Sequence, residues 1–115
     1  MSRGAREYRA GRRHKVTAGT VYLVCFRTPD GAKGWVGHAG HYTGWTRYLS
    51  QRKIQHEAGY GARLTAIAVG AGLLLEVVAT MPGTIDDEYR VKCRGGMTRY
   101  CPLCSSPPRA WRARA

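Results

Sequence analysis

The apolar residues of this 115-residue chain fall into short runs separated by glycine and proline, and two of these runs have the composition of β-strands. Residues Val21–Phe26 are apolar throughout, with β-branched and aromatic side chains, and Pro29-Asp30-Gly31 follows as a turn signal. Residues Leu73–Thr80 form the second run and carry a single charge. Strands buried on both faces are almost continuously apolar, so the pattern predicts that this later strand is central in the sheet.

A second kind of apolar pattern, with helical spacing, follows Gly59-Tyr60-Gly61. Recurrence at i, i+3, i+4 and i+7 predicts a helix whose buried face holds Leu64, Ile67, Ala68 and Ala71. Gly70 and Gly72 are placed to end it.

A third helix is predicted after Pro82-Gly83, with Thr84 as its N-cap and Asp87 at the capping-box position. Helical spacing puts Glu88 on the face directed at the sheet and leaves its acidic neighbours elsewhere. That face holds Ile85, Glu88, Tyr89 and Lys92. A buried carboxylate is costly without a partner, so we expect Glu88 either to form a salt bridge, for example with Lys92, or to bind a metal ion.

Between the first strand and these elements lies a short strand, His41–Trp45, that runs into a helix for which Thr46 is the expected N-cap. In that helix Tyr48, Arg52 and His56 recur every four residues and form one stripe. Tyr42 leaves the strand just before it, so a phenol, a guanidinium and an imidazole should converge at one corner. The alternative is a basic helix with a solvated face.

Together these elements predict an α/β fold, a three-stranded sheet flanked by three helices. The chain is long enough for one domain, which we place at residues 19–104. Residues 1–18 and 105–115 are rich in arginine and poor in apolar residues, so we expect two disordered basic tails. Trp111 in the second tail either stacks on a nucleic-acid base or has no role.

The charge of the chain bears on its partner. Lysine and arginine number 19 against 7 acidic residues, a formal net charge of +12. This balance favours polyanions, with nucleic acid first and an anionic membrane surface second. No apolar run approaches the ~20 residues of a membrane span. The N-terminus lacks the apolar segment of a secretory signal, so we expect a cytoplasmic protein.

Histidine and cysteine pairs indicate a second site. His38 and His41 form an H-x₂-H pair, and Cys101 and Cys104 form a C-x₂-C pair. These four residues match the ligand number and chemistry of a structural Zn²⁺. The alternative is two packed thiols and two solvated histidines. Cys25 and Cys93 are weaker ligand candidates.

The order of these features resembles the GIY-YIG nuclease superfamily, in particular its small single-domain members from bacteria and phages. Thr20-Val21-Tyr22 stands at the first motif triplet and Tyr42-Thr43-Gly44 at the second. The resemblance covers roughly Gly19 to Cys104. The chain contains no asparagine, so the polar Asn found late in many members has no counterpart.

The resemblance implies an activity, a cofactor and a set of site residues. The activity is Mg²⁺- or Mn²⁺-dependent hydrolysis of DNA phosphodiester bonds, with Glu88 as metal ligand. The implied catalytic residues are Tyr22, Tyr42, Arg52, His56 and Glu88. The expected DNA-contacting cations are Arg12, Arg13, Lys15, Arg47, Lys53, Arg63, Lys92 and Arg94. We expect the protein to act in a bacterial cytoplasm. Whether it also needs a targeting protein as partner stays open from the sequence.

Two other functions remain open from the sequence. One is a catalytically inactive DNA-binding or inhibitory module on the same fold. The other is a basic interaction protein for RNA or an acidic partner. The tyrosine, arginine, histidine and glutamate set favours the nuclease, because a pure binder has no use for a phenol beside a carboxylate.

Overall fold

A computed structural model describes residues 18–111 of the chain. The elements are β1 (Gly19–Arg27), β2 (His41–Thr46), α1 (Leu49–Glu57), α2 (Arg63–Gly70), β3 (Leu74–Gly83) and α3 (Ile85–Arg94), followed by a 3₁₀ turn at Met97–Tyr100. The predicted α/β class, with a three-stranded sheet and three helices, is confirmed. The N-terminal arm up to residue 17 and the last four residues lie outside the described part of the chain.

β1 is the central strand. The sheet order is β2-β1-β3, and both neighbours run antiparallel to β1. The prediction that the third strand is central is therefore wrong. Residues Val21–Phe26 are all buried, whereas Met81 is the only buried residue of β3. An apolar run shows that a strand packs on something, but its neighbours in the sheet are set by pairing with distant segments.

Alternate residues of β1 point to opposite faces of the sheet and serve separate cores. Tyr22, Val24 and Phe26 lie on the face that α1 and α2 cover, where they pack with Ala68 and Leu49. This face carries the tyrosine of the first motif triplet.

The other face of β1 packs against α3 and the C-terminal segment. Leu23 and Cys25 contact Tyr100 and Cys101. Val21 packs with Val91 of α3 in a neighbouring cluster. Thus α1 and α2 cover one face of the sheet, and α3 and the C-terminal segment cover the other.

The connection from β2 to α1 differs from the prediction. Thr46 still pairs with Thr20 in the sheet, and α1 begins only at Leu49. The Thr46 hydroxyl accepts the Tyr48 backbone N–H at 3.1 Å and closes a turn between the two elements. The prediction that Thr46 is the helix N-cap is wrong, because sheet pairing holds it in an extended conformation.

The prediction for α2 is wrong in its buried face, and the prediction for α3 is confirmed in its N-terminal cap. In α2 the buried residues are Thr65 and Ala68, and Ile67 is exposed, so the predicted face is rotated. In α3 the capping box of Thr84 and Asp87 is present as predicted. Capping is a local interaction, whereas the buried face of a helix depends on where the sheet lies.

The predicted disordered C-terminal tail is ordered by a few contacts up to residue 111, although residues 106–110 are exposed. The Arg109 backbone N–H donates to the Arg99 carbonyl at 2.7 Å, and the Ser105 hydroxyl donates to the Thr98 carbonyl at 2.9 Å. Trp111 is half-buried against both clusters on that face. Within residues 18–111 no helix has the length and apolarity needed to cross a bilayer.

Candidate functional site

The candidate site lies where the two tyrosine-bearing strands pair. Tyr22 of β1 lies opposite Gly44 of β2, and its ring passes over that glycine. A Cβ atom at Gly44 would lie 2.5 Å from both the hydroxyl oxygen and Cζ of Tyr22. No side chain fits there without moving the ring. The glycine of the second triplet therefore makes the space in which Tyr22 sits.

His56 fixes the direction of the hydrogen bonds at the site. It is 2% exposed, near the C-terminal end of α1. Nε2 lies 2.7 Å from the Tyr22 hydroxyl, and Nδ1 lies 3.0 Å from the Thr65 hydroxyl. Because Thr65 donates its own proton to the Ala62 carbonyl at 2.9 Å, it accepts from Nδ1–H. In the neutral imidazole Nε2 is then the acceptor, and the Tyr22 hydroxyl donates to it.

Tyr42 completes a cluster of three rings. Its ring centroid lies 6.2 Å from that of Tyr22 and 5.6 Å from that of His56. Interaction with Tyr22 lowers the pKa of Tyr42 against the effect of burial. Arg52, one turn before His56 in α1, lies close enough to Tyr22 for its positive charge to lower the pKa of that phenol against the effect of burial.

α3 supplies the charged side of the site. The Glu88 carboxylate, 16% exposed, accepts from Lys92 Nζ at 2.8 Å, and the Lys92 side chain is 48% exposed. Lys92 Nζ also lies 5.8 Å from the centroid of the Tyr42 ring. The salt bridge expected as one alternative for Glu88 is thus present. It lies close enough to the tyrosines for the carboxylate charge to act on both.

Burial controls the protonation of the three rings. It is the main cause that raises the pKa of Tyr22 and of Tyr42 above the ordinary value of 10.0. For Tyr42, Lys92 and Arg52 oppose this shift and Glu88 adds to it. Burial, with the charge of Arg52, lowers the pKa of His56 below 6.5. At neutral pH the site therefore holds two neutral phenols and a neutral imidazole.

The structure brings together the five side chains that the sequence singled out for chemistry. They come from four elements, β1, β2, α1 and α3. Tyr48, predicted to share their stripe, is 62% exposed and precedes α1. Sequence reasoning missed Thr65, which looks like an ordinary helix residue. The one sequence feature that could have pointed to it is a hydroxyl residue in the helix that follows the histidine-bearing helix.

The cations predicted to contact DNA lie at different places in the fold. Lys92 lies in the site, and Arg94 takes part in hydrogen bonding with Tyr100. Arg47, Lys53 and Arg63 are exposed, and Lys53 borders a separate cleft between α1 and β3. The arm residues Arg12, Arg13 and Lys15 lie outside the described residues.

On the opposite face of the sheet is a cluster of metal-ligand side chains. Its ligand atoms, from Cys25, His41, Cys101 and Cys104, lie within 4.8 Å of one another. His38 is exposed and takes no part, so its predicted place as a ligand is wrong. Cys25 takes that place because it pairs with His41 across β1 and β2, and paired residues share a face. His38 precedes β2 and has no such register.

The protonation of this cluster also follows from burial and charge. Burial, with Lys33 and Arg27, lowers the pKa of His41 to about 4, so the imidazole is neutral at pH 7. Burial raises the pKa of the Cys101 thiol to about 11. Burial opposes ionisation of Cys25 as well, but hydrogen bonds from Lys33 and Arg27 lower its pKa overall. The cluster thus offers a neutral imidazole and three sulfurs, a donor set suited to a transition metal.

No family model, curated protein or solved structure matches this chain significantly.

Proposed function

We propose that this protein is a divalent-metal-dependent DNA endonuclease that hydrolyses phosphodiester bonds. The observation that carries the proposal is the cluster of the Tyr42, Tyr22 and His56 rings, in which the Tyr22 hydroxyl donates to His56 Nε2 at 2.7 Å. The Glu88–Lys92 salt bridge lies beside this cluster. Phosphodiester hydrolysis requires a base for water, positive charge for the phosphoryl oxygens and stabilisation of the leaving oxygen. The resemblance to GIY-YIG nucleases, carried by the same side chains, supports the proposal.

The cluster of the three rings offers a path for the proton of the attacking water. In this scheme the water proton passes to the Tyr42 oxygen, the Tyr42 proton to the Tyr22 oxygen, and the Tyr22 proton to His56 Nε2. The water oxygen forms the new P–O bond while the bond to the 3′ oxygen breaks, and that oxygen takes a proton from solvent. His56 ends as imidazolium and both tyrosines end as neutral phenols.

This path answers the difficulty of using a phenol as a base. Burial raises the pKa of Tyr42, so a standing phenolate at neutral pH is disfavoured. A relay needs no standing phenolate, because Tyr42 gives up one proton as it accepts another. General-base help of this kind is worth roughly 10²- to 10⁴-fold in rate. The Thr65 hydroxyl, by accepting Nδ1–H, keeps Nε2 of His56 free to receive the proton.

Positive charge at the site suits the phosphoryl oxygens. Arg52 lies close enough to Tyr22 for its charge to act on that phenol, beside the place where water would attack. Lys92 lies beside the Tyr42 ring and is half exposed. Fixed cations aimed at developing negative charge are usually the largest single contribution to catalysis in such reactions.

The metal ion of the proposed reaction would be held by Glu88. A carboxylate oxygen is a hard donor that fits Mg²⁺ or Mn²⁺, with water and substrate phosphate as the other ligands. Glu88 lies close enough to both tyrosines for its charge to raise their pKa values, which supports this role. Lys92 now pairs with it and is half exposed, so the amine can turn to solvent. When bound, the cation supplies charge neutralisation at the leaving oxygen.

The Glu88–Lys92 salt bridge favours a second candidate function. A carboxylate that is paired within the protein needs no metal, which fits a DNA-binding or inhibitory module without activity. On that account the net charge of +12 provides the binding. The two functions differ in whether Glu88 is needed for turnover.

Cleavage assays on a Glu88 variant with a matched control separate the two. In Mg²⁺ or Mn²⁺ the protein should nick or cut DNA, and EDTA should stop the reaction. Glu88→Ala should abolish cleavage and leave DNA binding nearly unchanged. Asp86→Ala is the control, since Asp86 lies in the same helix turn and pairs with Arg90; it should cleave normally. Undiminished cleavage by Glu88→Ala, or no cleavage by the wild type, rules out the proposal.

A further inference from the structure

Four soft ligand atoms on the face opposite the tyrosines have the spacing of a tetrahedral metal site. Cys104 Sγ lies 3.9 Å from Cys25 Sγ and 3.6 Å from His41 Nε2. With Zn–S bonds of about 2.3 Å and Zn–N bonds of about 2.0–2.1 Å, a tetrahedron has S···S edges of about 3.8 Å and S···N edges of about 3.6 Å. A disulfide requires about 2.05 Å between sulfurs, far less than the separation here.

The groups around these ligands fit bound thiolates. Lys33 Nζ lies 3.2 Å from Cys25 Sγ, and Arg27 Nη1 lies 3.8 Å from the same sulfur. Three thiolates, one neutral imidazole and Zn²⁺ sum to one negative charge, which the neighbouring cations offset. Outer donors of this kind orient the ligands and stabilise their charge.

Chain segments far apart in sequence meet at this cluster. Cys25 belongs to β1, His41 begins β2, and Cys101 and Cys104 follow the 3₁₀ turn. The Lys33 amine also donates to the Gly40 carbonyl, so the connection between the strands is held at the same point.

We propose that Cys25, His41, Cys101 and Cys104 bind one structural Zn²⁺. Sulfur and imidazole ligands select zinc over Mg²⁺, so this metal is separate from the one proposed at Glu88. With four protein ligands the site is closed, as structural zinc sites are. The zinc joins the C-terminal segment to the two paired strands. Because His41 directly precedes Tyr42, it also fixes the start of β2 on the face opposite the tyrosines.

The test measures metal and does not depend on cleavage. Full-length protein purified without added metal should contain about one zinc per chain by elemental analysis. Cys25→Ser and His41→Ala should reduce this to near zero. The matched controls are Cys93→Ser and His38→Ala, an exposed thiol and an exposed imidazole outside the cluster; both should keep the zinc.

Replacement with Co²⁺ covers the case in which the ligand variants do not fold. Wild-type protein loaded with Co²⁺ should show the intense visible bands of tetrahedral cobalt and charge transfer from thiolate. Folded wild-type protein without zinc, a six-coordinate cobalt spectrum, full zinc retention in Cys25→Ser, or zinc loss in the His38→Ala control each overturns the assignment.

Discussion

At the scale of single residues, Tyr42 and Tyr48 lie close in sequence but in opposite environments. Tyr42 is packed between Tyr22 and His56, whereas Tyr48 is 62% exposed. Both are phenols near the same helix, so they form a natural pair for separating chemistry from structure.

Tyr42→Phe removes the hydroxyl that starts the proposed relay and keeps the ring. We expect a loss of roughly 10²- to 10⁴-fold in the rate of DNA cleavage, the usual size of a general-base contribution. Tyr48→Phe should cleave at the wild-type rate. Single-turnover assays at saturating protein measure both. Equal rates for the two variants would mean that Tyr42 has only a structural role.

The pH dependence of cleavage distinguishes the relay from a standing phenolate. Burial lowers the pKa of His56 below 6.5, so the imidazole is neutral and able to accept a proton at pH 7. Cleavage should be constant around neutral pH and fall only as the pH drops through that lowered pKa. A standing phenolate would instead make the rate rise steadily toward pH 10. Such a rise in the measured pH–rate profile contradicts the relay.

The lowered pKa of His56 also makes the stability of the fold depend on pH, so the pH series needs a control for unfolding. Below pH 6.5 the unfolded chain takes up a proton at His56 before the folded protein does. The free energy of unfolding therefore decreases as the pH falls below 6.5. Circular dichroism at each pH shows whether lost activity reflects lost fold.

At the scale of elements, the pairing of β1 with β2 positions the site. The register sets Tyr22 opposite Gly44, and the ring uses the space that the glycine leaves. The same pairing brings Cys25 opposite His41 on the other face. One strand register thus builds both sites.

Gly44→Ala tests this register. The added methyl meets the Tyr22 ring, so we expect a destabilisation of about 1–3 kcal/mol and a loss of cleavage larger than the loss of DNA binding. Gly70→Ala is the control, since nothing lies within 4 Å of a Cβ at that helical position. It should be neutral or stabilising by up to about 1 kcal/mol. Urea denaturation measures both, and unchanged stability and activity in Gly44→Ala contradict the steric role.

At the scale of the whole molecule, charge is the main feature that points to a polyanionic partner. The 19 lysines and arginines are spread over the described domain and the basic termini. Affinity from such a distribution rests on phosphate contacts and counterion release. Phosphate contacts carry no sequence information, so we expect weak sequence preference.

DNA affinity should therefore fall steeply with salt. The slope of log K against log salt is about −0.9 per phosphate neutralised. Deleting residues 1–15 removes six of the 19 lysines and arginines. The slope should then become shallower while cleavage persists at low salt. Fluorescence anisotropy at several salt concentrations measures this, and a slope near zero in the full-length protein contradicts the nucleic-acid interpretation.

The sequence by itself determined what local physics controls. The β1 strand follows from six consecutive apolar residues, and the start of α3 from the Thr84–Asp87 capping box. The identity of the chemical groups was also visible, because a phenol, a guanidinium, an imidazole and a carboxylate recur in an order that suggests one site. These features depend on neighbours within a few residues, which a pattern can show.

Only the tertiary structure decided which distant residues meet. Sheet order placed β1, not β3, at the centre. Strand register brought Cys25 to His41 and left His38 exposed. The packing of α1 against α2 gave His56 its partner Thr65. Each of these is a contact between segments far apart in the chain, and its energy depends on how the sheet pairs and which faces are covered, not on local periodicity.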